Sequence, residues 1–258
     1  MTALGIDIGG SGVKGNLVDA ATGALLSERL RIPTPRSGST EAVGEVVAEI
    51  AEHFRQESGH ETLPVGCGFP GVIRSGVVSA ATHLDKAWLG ADVVAILSEA
   101  VGSPVTVLND ADAAGVAEIT FGSAKDRSGT ILMITLGTGI GSGMFRDGRL
   151  VPNFELGMLE LGGHHPIEDR VAYRVFKQGE LSWKKWARRL NRYLRHVNAL
   201  FAPDLIVLGG GGVNKWSRFG HRLDVPVDVA PAHFGNHAGI VGAALAAVNP
   251  GALMGENG

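Results

Sequence analysis

Twice in this chain a short apolar strand runs directly into a glycine turn that is followed by more β structure. The first instance is Leu4–Ile8 leading into Gly9-Gly10-Ser11-Gly12, and the second is 130–136 leading into Gly137-Thr138-Gly139-Ile140-Gly141-Ser142-Gly143. Buried strands read as apolar runs bounded by turn residues, and glycine lets the chain reverse where a side chain would clash. A repeat of this kind predicts two similar α/β halves, each opening with a β-meander. It also explains the glycine content of 38 in 258 residues, roughly double the average share. No Gly-X-Y period and no low-complexity tract accompanies it.

The rest of the chain fits that frame. Strands are expected at 13–18 and 24–32, then a helix from an N-cap at Thr40 to about Ser58, a strand at 65–69, a helix at 92–101 and a strand at 105–108. Asn109-Asp110 then opens a helix to about Phe121. Met144-Phe145 and 149–151 flank the turn Arg146-Asp147-Gly148 as a hairpin. After a loop, a long helix runs from Ser182 to about Phe201. A strand at 205–208 ends in Gly209–Gly212, and an alanine-rich helix closes the chain at 238–248. The expected domains are 1–108 and 109–258, with the helix at about 238–250 returning to the first.

Composition narrows the function. Apolar residues make up 45% and charged residues 19%, with a formal net charge of −3. A generally basic nucleic-acid binder is therefore not expected. The single cysteine, Cys67, excludes an intrachain disulfide framework and a Cys-rich structural zinc site. Flanked by glycines in a strand and with no adjoining base, it reads as a packing residue. No apolar run is long enough for a membrane span. The N-terminus has no basic segment and carries an early Asp7, so a cytoplasmic location is expected.

Several motifs can carry chemistry, and each also has a plainer reading. Gly9, Gly10, Ser11 and Gly12 can present backbone N–H groups to phosphate, with Lys14 adding charge and Asp7 holding Mg²⁺ through water. A plain hairpin turn would look the same. Following β structure excludes both a Walker A and a Rossmann fingerprint. Gly137, Thr138 and Gly139 form a second such turn, and a matched pair is stronger evidence than either alone. Asn109 and Asp110 lie just past a buried strand. Asp110 can accept a hydroxyl proton during phosphoryl transfer and Asn109 can orient the acceptor, yet both residues also favour helix caps. Gly68, Pro70 and Gly71 form a stiff loop at a strand end. Glu155, and Glu168 further on, can accept hydrogen bonds from vicinal hydroxyls, or stand as surface acids. His164-His165 reads as loop rather than metal site.

A basic run stands out in an acidic chain. Lys184, Arg188, Arg192 and Arg195 fall on one helical stripe, widened by Lys185 and Arg189, with only Glu180 as nearby acid. A polyanion is a natural partner for such a face, and a solvated surface is the alternative.

In this order the segments resemble the ROK family of repressors, uncharacterised frames and sugar kinases. Asp7–Lys14 is similar to its phosphate loop, Leu108-Asn109-Asp110-Ala111 to its catalytic segment, and 136–141 to its second phosphate loop. Gly68–Gly71 and Glu155-Leu156-Gly157 are similar to its sugar loops, and Gly209, Gly210 and Gly211 to its adenosine-side glycines. The resemblance implies an α/β, actin-like (ribonuclease H-like) two-domain fold with a central cleft. It implies a hexokinase passing a phosphoryl group to the 6-hydroxyl of glucose, with Asp110 as base and Asn109, Glu155 and Glu168 on the sugar.

The family's Cys-rich zinc motif has no counterpart here. His83–Trp88 and Glu168-Asp169-Arg170 are instead similar to the polyphosphate-using branch. That likeness implies inorganic polyphosphate, ATP or both as donor, Mg²⁺ as cofactor, and a polyphosphate track along Lys184, Lys185, Arg188, Arg189, Arg192 and Arg195. Met158 stands where the family usually has His, which implies looser epimer choice and acceptance of mannose. An ATP-only glucokinase or N-acetylhexosamine kinase, and a non-catalytic sugar sensor, are the alternatives. Nothing in the sequence speaks to oligomeric state.

Overall fold

The first two strands, β1 (Thr2–Gly9) and β2 (Gly12–Asp19), pair antiparallel from Thr2↔Asp19 to Gly9↔Gly12, so only Gly10 and Ser11 make the turn. The computed structural model describes residues 1–81, 84–179, 181–249 and 251. His83 and Glu180, used in the sequence argument, lie outside the described residues, as does position 250 at the end of the expected last helix.

The chain divides into two units. The first comprises Met1–Ala117 and the segment from His237 on, and the second is Glu118–Asn236. In the first, β3 (Leu30–Ile32), β4 (Val65–Phe69) and β7 (Val105–Asn109) complete a five-stranded sheet of order β3-β2-β1-β4-β7, with β5 (Gly71–Arg74) and β6 (Val77–Ala81) as a separate hairpin. β1, β4 and β7 run parallel. The helices are α1 (Thr40–Ser58), α2 (Val93–Val101) and α3 (Asp110–Thr120).

The second unit repeats the sheet. β8 (Thr130–Leu136), β9 (Ile140–Arg146) and β10 (Arg149–Phe154) form a meander, and β11 (Leu205–Gly209) and β12 (Asp228–Pro231) run parallel to β8, giving the order β10-β9-β8-β11-β12. Its helices are α4 (Glu168–Val171), α5 (Tyr173–Gln178), α6 (Trp183–Phe201) and α7 (Trp216–Phe219). α8 (Ala238–Val248) belongs to the first unit.

The packing of α8 shows why glycine and alanine are where they are. A Cβ on Gly5 would lie 1.9 Å from the Ile240 carbonyl oxygen, and one on Gly66 would lie 1.9 Å from that of Ala243. The helix therefore rests directly on the backbones of β1 and β4. On the other sheet, α6 buries Trp186, Leu190, Tyr193, Leu194 and Val197, with Trp186 Nε1 donating to the Val171 carbonyl at 2.9 Å. Its Ser182 N-cap accepts the Lys185 N–H.

Some local expectations are corrected. The α1 cap is Ser39, whose extended backbone lets its hydroxyl accept the Ala42 N–H, and Thr40 is already helical. The third strand covers only 30–32, not 24–32. Residues 24–26 still pair with β2, through the Val18↔Leu25 bridge and the Leu26 N–H to the Leu17 carbonyl, and the strand is interrupted after them, where Ser27 and Asn16 hydrogen-bond to one another. Gly141 and Gly143 lie inside β9, not in the turn. The hairpin at 146–148 closes on Asp147 (φ 49°) and Gly148 (φ 79°) alone, both in the left-handed region as a primed two-residue turn requires. α4 and α5 occupy what reads as loop.

Candidate active site

In the first unit the parallel register sets Asp7 beside Gly68, Gly68 beside Leu108 and Phe69 beside Asn109. Asp7, the 68–71 loop, Asn109 and Asp110 thus gather at the carboxyl ends of three adjacent strands, where α/β sheets carry ligands. Asn109 is buried and well engaged. Its Oδ1 accepts the Ala111 N–H at 2.9 Å and the Asp112 N–H at 3.2 Å, and its Nδ2 donates to the Gly71 carbonyl at 3.1 Å. It caps α3 and ties down the glycine loop with the same amide. Asp110 is the first residue of α3, partly exposed, and a Cβ on Gly68 would lie 3.5 Å from its Cα.

The first glycine turn is braced from outside. Arg31 Nη2 donates to the Ser11 carbonyl at 2.7 Å and Thr34 donates to the Gly9 carbonyl. Those two contacts fix the backbone of the turn. Lys14 lies across the ladder from Asp7 and its Nζ meets Oδ2 at 2.9 Å. His237 is pushed below its ordinary value by burial, then by the charges of Arg29 and Lys14.

The second unit presents its own cluster. Glu168 Oε2 accepts the Ile140 N–H at 2.9 Å, and a Cβ on Gly139 would lie 2.5 Å from the same oxygen. Glycine at 139 makes room for that carboxylate. Ser142 is buried in β9 and latches the strand to both sides of Glu155: its hydroxyl donates to the Phe154 carbonyl at 2.7 Å and accepts the Leu156 N–H at 2.8 Å. Burial, then the Glu168 charge, raises the Glu155 carboxyl to about 7. The same two causes hold the buried Tyr193 hydroxyl above its ordinary value. Two carboxylates in one electrostatic field, one of them tuned near neutrality, form a natural acceptor pair for vicinal hydroxyls. Met158 is 40% exposed.

Gly137, Thr138 and Gly139 follow β8, and Gly209, Gly210 and Gly211 follow its neighbour β11, in register Gly209↔Thr135. Gly210 has φ 75°, and a Cβ there would lie 2.8 Å from the Leu136 backbone. Only glycine lets the second loop cross the end of β8 at this distance. The Arg174 N–H donates to the Gly137 carbonyl at 3.0 Å and clamps the first of these loops.

Of the basic helical run, Arg195 pairs with the Asp224 carboxylate, and Arg189 Nη1 donates to the Arg170 carbonyl at 3.2 Å. Lys184, Lys185, Arg188 and Arg192 are exposed. Cys67 is fully buried, and burial pushes its thiol up.

Three contributors carry no local signal in the sequence. Ser142 and Arg31 act only through tertiary contacts. The buried Glu118 accepts N–H bonds from Ser123, His233 and Phe234 at 2.8, 3.0 and 2.9 Å, across more than a hundred residues for the last two. Among the described residues, no group of three or more His, Cys, Asp or Glu side chains could hold a metal ion, and no helix is long and apolar enough to cross a membrane.

Each unit carries a glycine turn after its first strand, and the first adds an acid, Asp110, at the start of α3, as an α/β phosphoryl-transfer protein would. Residues 3–172 match the ROK family, and the chain belongs to that family. It is 41% identical over 245 residues to polyphosphate glucokinase of Mycobacterium tuberculosis, covering 95% of this chain and 90% of that protein. The structure of the inorganic polyphosphate/ATP-glucomannokinase from Arthrobacter sp. strain KM matches with TM-score 0.93 and 43% identity, covering 97% of this chain and 99% of that one. A ROK family glucokinase from Streptomyces griseus, in complex with glucose and AMPPNP, shares the fold with TM-score 0.79 at 23% identity, covering 95% and 98%.

Proposed function

We propose that this chain is a hexokinase that moves a phosphoryl group from inorganic polyphosphate or ATP to the 6-hydroxyl of glucose, and of mannose beside it. The observation that carries the reading is the row of Asp7, Gly68–Gly71, Asn109 and Asp110 at the carboxyl ends of β1, β4 and β7. The repeated sheet order supports a ribonuclease H-like reading of each unit.

Asp110 accepts the proton as the sugar hydroxyl attacks the terminal phosphoryl group. Asn109 has engaged one Nδ2 hydrogen with Gly71, and its second is directed to a sugar oxygen. Glu155 and Glu168 accept hydrogen bonds from the other hydroxyls and so set the 6-hydroxyl in place. The N–H groups of the turns at 9–12 and 137–139 receive the charge that spreads over the phosphoryl oxygens. Gly209–Gly211 offer a backbone surface to the nucleoside when ATP is the donor.

When bound with the donor, Mg²⁺ would neutralise charge on its phosphates. One hard carboxylate at Asp7, already partnered by Lys14, suits a hydrated ion that arrives with the phosphates better than a resident one.

The test is hexose 6-phosphate formation from glucose and from mannose, with Mg²⁺ and either polyphosphate or ATP as sole donor. Product from polyphosphate supports the reading. Product from ATP alone would leave the kinase and remove the polyphosphate donor. Sugar binding without product from either would make the chain a sensor.

A further inference from the structure

One buried carboxylate ties together two stretches of the second unit that lie more than a hundred residues apart in sequence. Glu118, on the last turn of α3, is 1% exposed. Its Oε2 accepts the N–H groups of Ser123 at 2.8 Å and His233 at 3.0 Å, and its Oε1 accepts that of Phe234 at 2.9 Å. Gly122 makes room for it, since a Cβ there would lie 2.2 Å from Oε2. The Ser123 hydroxyl adds a bond of 2.6 Å to the Pro231 carbonyl. A buried carboxylate is costly unless its oxygens are answered, and here backbone N–H groups answer them. The segment that follows β12 is thereby fixed at Pro231, His233 and Phe234.

What that segment touches gives the carboxylate a task. The Ala232 N–H donates to the Leu208 carbonyl at 2.7 Å, a Cβ on Gly209 would lie 3.6 Å from the Ala232 Cβ, and one on Gly235 would lie 3.9 Å from Asn214 Oδ1. Residues 232–235 therefore run beside the glycine loop that follows β11. From the β8 side the same loop is held by Leu136, whose carbonyl accepts the Gly212 N–H at 3.0 Å. The loop thus stands between two walls. β12 is the edge strand of its sheet, so no further strand backs the outer wall, and Glu118 supplies that support from α3.

We propose that Glu118 is a positioning residue for the phosphoryl donor: through residues 231–235 it sets the place of the Gly209–Gly211 backbone, and with it the affinity for the nucleoside of ATP. The proposal rests on the reading of those glycines as the nucleoside side of the donor. A bare backbone surface has no side chains with which to take up a displacement, so a small shift of the loop loses the contact outright. An inorganic phosphate chain has no nucleoside, and its binding does not depend on that wall. Glu118 therefore acts on donor choice without touching either donor.

The experiment is calorimetric titration of ATP and of inorganic triphosphate, each with Mg²⁺ and without sugar, into the full chain and into Glu118→Gln. Glutamine keeps the volume of the side chain but must turn its NH₂ towards at least one of the N–H groups that the carboxylate accepts. Triphosphate is the donor's phosphate chain without the nucleoside, so the ratio of the two Kd values reads the nucleoside alone. The wild type is expected to bind ATP at least about tenfold more tightly than triphosphate, and Glu118→Gln to lose most of that ratio while its Kd for triphosphate stays within about twofold of wild type. A general loosening of the fold would weaken both ligands alike and leave the ratio unchanged. That result overturns the proposal, as does an unchanged Kd for ATP. A wild type that binds ATP no better than triphosphate removes the nucleoside reading of Gly209–Gly211 and the proposal with it. Hexose 6-phosphate formation plays no part in the readout, so a sugar sensor that binds ATP would still show the effect. If circular dichroism shows that Glu118→Gln does not fold, Ser123→Ala, which loses only the hydroxyl bond to Pro231, takes its place, with a fall of the ratio by at least about threefold as the criterion.

Discussion

The carboxylate of Glu168 holds the backbone N–H of Ile140 at 2.9 Å, so a candidate sugar acid is also the support of a glycine turn assigned to the phosphates. If the two assignments hold, sugar orientation and phosphate-loop geometry in this unit are coupled through that one bond. Glu168→Ala is expected to raise KM for the hexose and for the phosphoryl donor together, each by roughly ten- to hundredfold, the worth of a lost charge-assisted hydrogen bond of about 1.5–3 kcal/mol. Glu168→Gln keeps an acceptor for Ile140, so donor KM returns towards wild type while hexose KM stays raised. Steady-state kinetics of both variants checks this. A change in hexose KM alone in Glu168→Ala would separate the two roles.

Glu155, raised to about 7 by burial and by Glu168, gives the reaction a pH signature. The unfolded carboxyl titrates near 4.5, so between 4.5 and about 7 the folded state holds more protons than the unfolded. This group's contribution to stability is therefore full below 4.5 and is lost as pH rises through about 7. Hexose binding moves the other way, because only the ionised carboxylate is a pure acceptor. Hexose KM is expected to fall as pH rises through about 7, and Glu155→Gln to flatten that limb. A wild-type KM that is flat across this range would contradict the assignment.

Gly66 is a structural requirement. Gly66→Ala places a Cβ 1.9 Å from the Ala243 carbonyl and must push α8 off β4, at a cost of about 3 kcal/mol, the upper end for overpacking. Gly137→Ala meets nothing within 4 Å, and Gly137 is not among the positive-φ glycines, so its stability should match wild type. Denaturant midpoints of the two variants decide. Equal midpoints would refute the close packing.

Met158 sits after the Glu155 segment with 40% of its surface open. Met158→His restores a hydrogen-bonding group of the kind a sugar hydroxyl can use. The glucose-to-mannose ratio of kcat/KM should then rise, by about tenfold for one discriminating hydrogen bond. An unchanged ratio, with both sugars lost equally, would remove Met158 from epimer choice.

The sequence carried some of this and not the rest, for physical reasons. Strands 4–8, 65–69 and 130–136 are near-continuous apolar or small runs because both sheet faces are covered, and they run into Gly9, Pro70-Gly71 and Gly137. Asn109 reads as a cap, and it is one; its second task, holding Gly71, depends on the parallel register of β4 and β7. The β5–β6 hairpin had a signal in Ser75-Gly76, both at positive φ between β-branched runs. β12 had none, since a four-residue parallel edge strand is made only by its partner. α4 and α5 are too short for a helical period. The gathering of Arg170 with Lys185, Arg188, Arg189 and Arg192 needs Trp186 to seat α6 against α4, and no spacing in the sequence announces that.

Asp110 is assigned as the base that takes the sugar hydroxyl proton. The most direct measurement compares wild type and Asp110→Asn for glucose 6-phosphate formation from polyphosphate and from ATP, alongside calorimetric glucose binding. The account predicts glucose Kd nearly unchanged and kcat lower by about 10²- to 10⁴-fold with either donor. Turnover retained in Asp110→Asn, with glucose bound as in wild type, would contradict it.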